Sequence, residues 1–337
     1  MSSSSGRVQW VDCFKGLCIV LVVYGHVAGS LAAGGIIGKG SFFISARSWV
    51  YLFHMPAFFF ASGLFSSRAQ NRPFLEFLRW RLTTLIYPYF LWTAVFAVSH
   101  ILMARFCNSP PPPGRLWRCF YEPYGYGLWF IYALLLISLW HRVLAGVLRD
   151  PFFMVFVAGL LGWLASKGAF AFWPIFNTAM GFVIYYVLGS VLAGWLLRSE
   201  GHDKGMMLLA AGLGLLGVMT AVNALVPSGP GFAFVLALLG IGGMVALAWG
   251  MVALRIQSFC SLLGAYSLEI YLGHMLLSPL PRPVLRSFGV SQPWIYVVCG
   301  MIVGVCGSLL LGVACRRFDF PYLFRWPLRR PTAFAQQ

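Results

Sequence analysis

The chain has 337 residues, of which 60% are apolar and only 9% charged, against roughly 25% charged in soluble domains. So few charges cannot cover a solvated surface, which excludes a soluble enzyme, a disordered chain and a nucleic-acid binder with a wet exterior. The net charge of +16, from 24 basic and 8 acidic residues, is spread in short pieces between long apolar runs and therefore points to membrane topology.

Runs of eighteen or more mainly apolar residues read as membrane-spanning helices. They predict an all-α polytopic membrane protein with about ten transmembrane helices in one bundle, over 9–31, 48–66, 82–104, 127–148, 151–167, 172–196, 206–226, 231–253, 257–279 and 294–315. The organisation is a tail over 1–8, one transmembrane domain over 9–317 and a second tail over 318–337. The first run has no basic segment ahead of it and no small-residue cleavage site, so it is expected to be a retained span rather than a signal peptide.

The first run carries Asp12, Lys15 and His26. At about 100° per residue, Lys15 and His26 fall roughly 20° apart around the helix and about 16 Å apart along it, with Asp12 on the same stripe. The second run begins FHMPAFFFASG, which places His54 early in the helix and Pro56 where a bend would free backbone groups. Ahead of the third stand Arg68, Arg72, Arg79 and Arg81. The loop that follows holds Pro110 to Pro113, an extended stretch, and Cys107 and Cys119, for which a disulfide and two free thiols are both open. The span at 151–167 is short. Gly212, Gly214 and Gly217 spell GxGxxG, but inside an apolar helix such glycines serve close helix packing and not dinucleotide binding; Gly300 and Gly304 read the same way. The ninth run contains YSLEIYLGH, which puts Glu269 at mid-membrane and His274 further along. The remaining cysteines lack metal-ligand spacing and read as small apolar residues.

With ten helices both termini share a side. That side collects 15 basic residues and the other 8, so both termini are expected in the cytoplasm. His26, His54 and His274 then fall at similar depth in the outer part of the membrane. An ionisable residue within a span costs roughly 2.5–3.5 kcal/mol on insertion scales, so each is a functional candidate. Asp12 and Lys15 have a second reading as an i,i+3 ion pair, and the histidines and Glu269 one as helix-to-helix hydrogen bonds. Three histidines without paired ligand spacing do not make a metal site, and none is expected.

Several of these stretches resemble the integral-membrane acyltransferase 3 family, and within it the fucose 4-O-acetylase-like branch. WVDCFKGLCIVLVVYGH is similar to its first-helix pattern of a basic residue, ten residues and a histidine, here Lys15 and His26. FHMPAFFFASG, ending on Ser62 and Gly63, resembles the second helix; RWRLTTLIYPYFLW, LWFIYALL and SLEIYLGH resemble later ones. Arg79 and Arg81 stand two apart, where the family often has arginines three apart. The resemblance implies an O-acetyltransferase with His26 as catalytic residue, acetyl-CoA as donor, and a carbohydrate acceptor: an exopolysaccharide, a lipopolysaccharide or a lipo-oligosaccharide at the bacterial inner membrane.

The residues support that chemistry. Lys15, Arg79 and Arg81 are expected to hold the anionic donor from the cytoplasmic side. His26 would act as general base or carry the acyl group itself. Glu269 is expected to orient a histidine. Asp12, His54, Ser62, His274 and Trp129 are expected on the acceptor, His54 and His274 also at a developing oxyanion. Membrane lipid is the only other partner expected, with no nucleic acid. The competing reading is a transporter or flippase that uses the same ionisable residues as a relay.

Overall fold

The computed structural model describes residues 8–102, 127–198, 204–226 and 229–326. Cys107, Cys119 and the four prolines lie outside the described residues. Every described element is helical: α1 (Gln9–Ala33), α2 (Phe42–Tyr51), α3 (His54–Gly63), α4 (Ser66–Gln70), α5 (Phe74–Leu102), α6 (Trp129–Val147), α7 (Pro151–Ser166), α8 (Pro174–Leu196), α9 (Gly205–Leu225), α10 (Pro230–Ala253), α11 (Ser258–Ala265), α12 (Ser267–Leu277), α13 (Pro281–Ser287) and α14 (Pro293–Arg317), with a 3-10 turn at Pro321–Leu323. The protein is an all-α polytopic membrane protein. Seven of the described helices are long and apolar enough to cross a membrane, or eight if the bent pair α11 and α12–α13 forms one span. Two expected spans fall short of that test. The second breaks at Leu52–Phe53 into α2 and α3 of ten residues each, and α7 has 16 residues.

α1 is the axis of the bundle. It packs against α2, α3, α10, α11, α12 and α14, and Val22, Val23, Cys18, Ile19 and Phe14 on it are fully buried. Glycine permits the closest of these contacts. A Cβ on Gly16 would strike the Cys260 carbonyl, and one on Gly264 would strike the Asp12 carbonyl, so α1 and α11 cross backbone to backbone as small-residue membrane interfaces do. α12 and α14 run antiparallel beside α1: Gly300 faces Val27 and Ser278, and Gly304 faces Val23 and Ser278, the packing role expected for both. Of the GxGxxG glycines only Gly212 packs closely, against Gly243 and Leu247; Gly214 and Gly217 face open space.

Two breaks position the site. α11 and α12 meet at 79°, and Arg316 satisfies the junction by donating to the Ala265 carbonyl at 3.0 Å and stacking over the Tyr266 ring at 3.8 Å. α5 begins two turns before the expected boundary at 82, which carries Arg79 and Arg81 into the helix. Its π-turn at Leu82–Ile86 lies ahead of Pro88, which has no N–H for the Thr84 carbonyl and crowds it.

Candidate active site

α1, α12 and α3 bring His26, His274 and His54 to one level of the bundle. The rings of His26 and His274 are 5.2 Å apart, centroid to centroid, at 54°, and His54 lies within electrostatic range of His26. His54 Nδ1 is 2.8 Å from the Val50 carbonyl and His274 Nδ1 is 2.9 Å from the Ile270 carbonyl. A carbonyl only accepts, so each neutral ring carries its proton on Nδ1 and presents Nε2 as an acceptor. The oxyanion role expected of this pair would need a protonated ring. Nε2 of His274 is buried and without a partner. His26 is half-buried and makes no hydrogen bond among the described residues, which leaves both of its ring nitrogens for chemistry. Gly127 approaches it closely: a Cβ there would lie 3.7 Å from His26 Cε1. Its positive φ of 70° suits glycine, and its carbonyl accepts from the Tyr271 hydroxyl at 2.7 Å.

A cavity of about 290 Å³ runs toward this level from the end of the bundle where α1 begins. Lys15, Ser62, Trp80 and Arg81 line its polar part; Val22, Met55, Phe58, Phe130 and Tyr271 line its apolar part. Val22 is one helical turn from His26, and the Tyr271 ring is 6.1 Å from that of His274. Three expected residues, Lys15, Ser62 and Arg81, therefore share one cavity; none of the three histidines lines it, and its nearest approach to His26 along α1 is Val22, one turn away.

Arg81 is buried with no carboxylate partner among the described residues. Its guanidinium stacks over Trp80 at 4.6 Å and Phe77 at 5.5 Å. It reaches the Tyr186 hydroxyl at 3.5 Å, a long contact, and its Nε has no partner. Behind Tyr186, His141 is held by Gln70 at 2.9 Å and Ser190 at 3.1 Å, a polar network the sequence did not reveal because His141 reads as a helix-end residue. A buried cation without a counterion is costly, and the cavity gives it access to an anionic ligand.

Asp12, Arg79, Trp129 and Glu269 do not line this cavity. Asp12 pairs with Lys15 at 2.9 Å, the ion-pair alternative. Arg79 is exposed and does not line the cavity. Trp129 packs against Phe59 and Phe182, and its neighbour Phe130 faces the cavity instead. Among the described residues Glu269 makes no hydrogen bond to a histidine. It is paired with Arg316, whose guanidinium donates to it at 2.5 Å and 3.2 Å, about five residues of rise below His274. Arg47, to which the sequence assigned only topology, is within electrostatic range of His26. Its seven-residue spacing to His54 would put both on one face of a continuous helix, but α2 and α3 break between them, so that spacing is no guide. Among the described residues no three of His, Cys, Asp or Glu are grouped to hold a metal ion.

Comparison with known proteins adds one match. No curated protein and no solved structure matches the chain. The acyltransferase 3 family model, described as an acyltransferase domain, matches residues 8–313, and the chain belongs to this family of acyltransferases.

Proposed function

We propose that the protein is a membrane O-acetyltransferase that moves acetyl from cytoplasmic acetyl-CoA to a hydroxyl of a cell-surface or lipid-linked carbohydrate, in the manner of the fucose 4-O-acetylase-like branch its motifs resemble. The observation that carries this reading is the cavity linking the unpaired Arg81 cation to the neighbourhood of His26. The donor's phosphates lie at the basic end, by Lys15 and Arg81, and the pantetheine arm follows Phe58 and Phe130 toward His26. Both termini then face the cytoplasm of a bacterial inner membrane, and the acceptor reaches His26 from the opposite end.

At that meeting point neutral His26 takes the proton of the attacking hydroxyl through one ring nitrogen. The other ring nitrogen, carrying N–H, would turn during the reaction to donate to the Nε2 of His274, which has no partner in this structure and whose Nδ1 proton is held on the Ile270 carbonyl. In this reading His274 takes the orienting role expected of Glu269. The hydroxyl oxygen forms the new ester bond, the C–S bond breaks, and the proton passes from His26 to the departing thiolate of coenzyme A. Family membership favours transfer over the transporter reading. The test is purified protein with labelled acetyl-CoA and extracted surface glycan: acetylated glycan is expected, and none from His26→Ala. Transport of glycan without acetylation would overturn the reading.

A further inference from the structure

The far end of α1 is surrounded by arginines. Arg282 donates to Ser30 Oγ at 2.6 Å and Arg286 to the Gly34 carbonyl at 3.2 Å. Arg286 thus binds a carbonyl that the last turn of α1 leaves free, the ordinary place for a cation at a helix C-terminus. Arg47 differs. Its Nε donates at 3.1 Å to the carbonyl of Gly25, which is inside α1 and already accepts within the helix, so Arg47 caps nothing. Its guanidinium lies over Gly29, 3.0 Å from where a Cβ would stand, and 4.3 Å above the Tyr51 ring. Tyr51 in turn lies against the His54 ring at 4.6 Å and over Gly25. Two missing side chains on α1 thus make the flat on which Arg47 and Tyr51 rest, directly flanking His26.

The rest of the Arg47 fork has no partner among the described residues. The described acidic residues, Asp12, Glu76, Asp150, Glu269 and Asp319, all belong to the end of the bundle where α1 begins or to the Arg316 pair. The other described cations on this end of α1 are Arg282, bonded to Ser30, and Arg286, bonded to the Gly34 carbonyl. Gly29 is one turn beyond His26, on the side away from the cavity that holds Lys15 and Arg81. Arg47 therefore meets whatever approaches His26 from the opposite end.

We propose that Arg47 is the anchor for an acidic acceptor: its free fork binds a carboxylate or phosphate carried on the carbohydrate and sets the neighbouring hydroxyl before His26. Planar, bidentate recognition of such oxyanions is what a guanidinium does and an ammonium does not. The proposal rests on the acetyl-transfer reading for the role of His26, and binding tests it separately. Full-length protein in phosphatidylcholine nanodiscs is titrated with a tetrasaccharide of galacturonic acid, with its carboxyl-reduced counterpart, and with a phosphorylated form of the latter. The wild type should bind at least one of the charged probes about tenfold more tightly than the neutral one, the scale of a charge-assisted hydrogen bond, and the stronger of the two identifies the anion. Arg47→Gln should bring charged and neutral probes to within about twofold of one another, and Arg47→Lys should keep part of the preference, while His26→Ala should keep all of it. Equal affinity for charged and neutral probes in the wild type, or a preference that survives in Arg47→Gln, would overturn the proposal. Acetyl-CoA hydrolysis by the same preparations, lost in His26→Ala, reports on the acyl-transfer reading independently.

Discussion

α1 and α9 are both apolar helices of spanning length, and by sequence alone each reads as an ordinary membrane helix. Within their most apolar windows, half of α1 is buried in the protein but only 17% of α9. α9 buries Gly205, Gly212 and Met219, a single stripe seven residues apart, and packs on α10. α1 buries residues around most of its circumference and carries Asp12, Lys15 and His26. Lipid is as good a solvent as protein for an apolar side chain, so α9 loses nothing by facing outward. A polar group has no such freedom, and the helix that carries Asp12, Lys15 and His26 is also the one that is enclosed.

The comparison breaks first at His26. Its replacement by alanine should lower acetyl transfer by roughly 10²–10⁴-fold, the usual contribution of general base catalysis, with membrane insertion and yield unchanged. His274→Ala should cost less, because it removes the orienting acceptor and leaves the base. Equal losses in the two variants, with burst kinetics retained in neither, would argue that the histidines act as one unit. Arg81→Gln should act on the donor alone. Loss of one charged contact should raise the KM for acetyl-CoA by roughly 10–100-fold, with kcat less affected and acceptor dependence unchanged. A matching rise for the acceptor would instead make Arg81 a structural residue of the cavity wall.

Much of this was legible in the sequence, and the gaps have physical causes. The apolar runs gave the class because a bilayer demands long uncharged stretches. The stripe of Lys15 and His26 could be read because α1 is a regular helix, where angles follow from spacing. Arg81 reads from the sequence as lying ahead of the third helix because a charge in a spanning helix is expensive, and only its stacking on Trp80 and Phe77 and its place at a cavity explain how it is accommodated. Glu269 reads from the sequence as the group that orients a histidine because a carboxylate is the usual partner of a catalytic histidine. Sequence could not show that Arg316, 47 residues away, would fold back on α12 and occupy it. Arg47 is not legible in the sequence because α2 and α3 break at Phe53, and no periodicity argument crosses a break.

Glu269 sharpens the contrast between catalytic and structural polar groups. If it ties α12 to α14 at the α11–α12 junction, Arg316→Ala should lower the melting temperature in detergent, by a stability loss of about 1–2 kcal/mol once the partial exposure of Arg316 is allowed for. Glu269→Gln with Arg316→Ala should recover part of that loss, since neither charge is then left alone. A catalytic Glu269 would behave differently: Glu269→Gln alone would depress kcat without moving the melting temperature.

The smallest effect is expected on α9, where two glycines five residues apart should respond in opposite ways. A Cβ on Gly212 would stand 2.8 Å from both the Gly243 carbonyl and Leu247 Cγ, so Gly212→Leu must push α10 away, at about 1–3 kcal/mol. Gly217 has nothing within 4 Å of a Cβ. Gly217→Leu adds an apolar side chain where lipid is the neighbour, and its effect on stability should stay within about 0.5 kcal/mol, with acetyl transfer unchanged. The pair is read by thermal unfolding in one detergent, followed by the activity of each variant. A Gly217→Leu variant as damaged as Gly212→Leu would mean that the open face of α9 is covered by another protein surface in the membrane. The enclosed and open helices would then differ only within one chain, and the low burial of α9 would mark an interface instead of a lipid boundary.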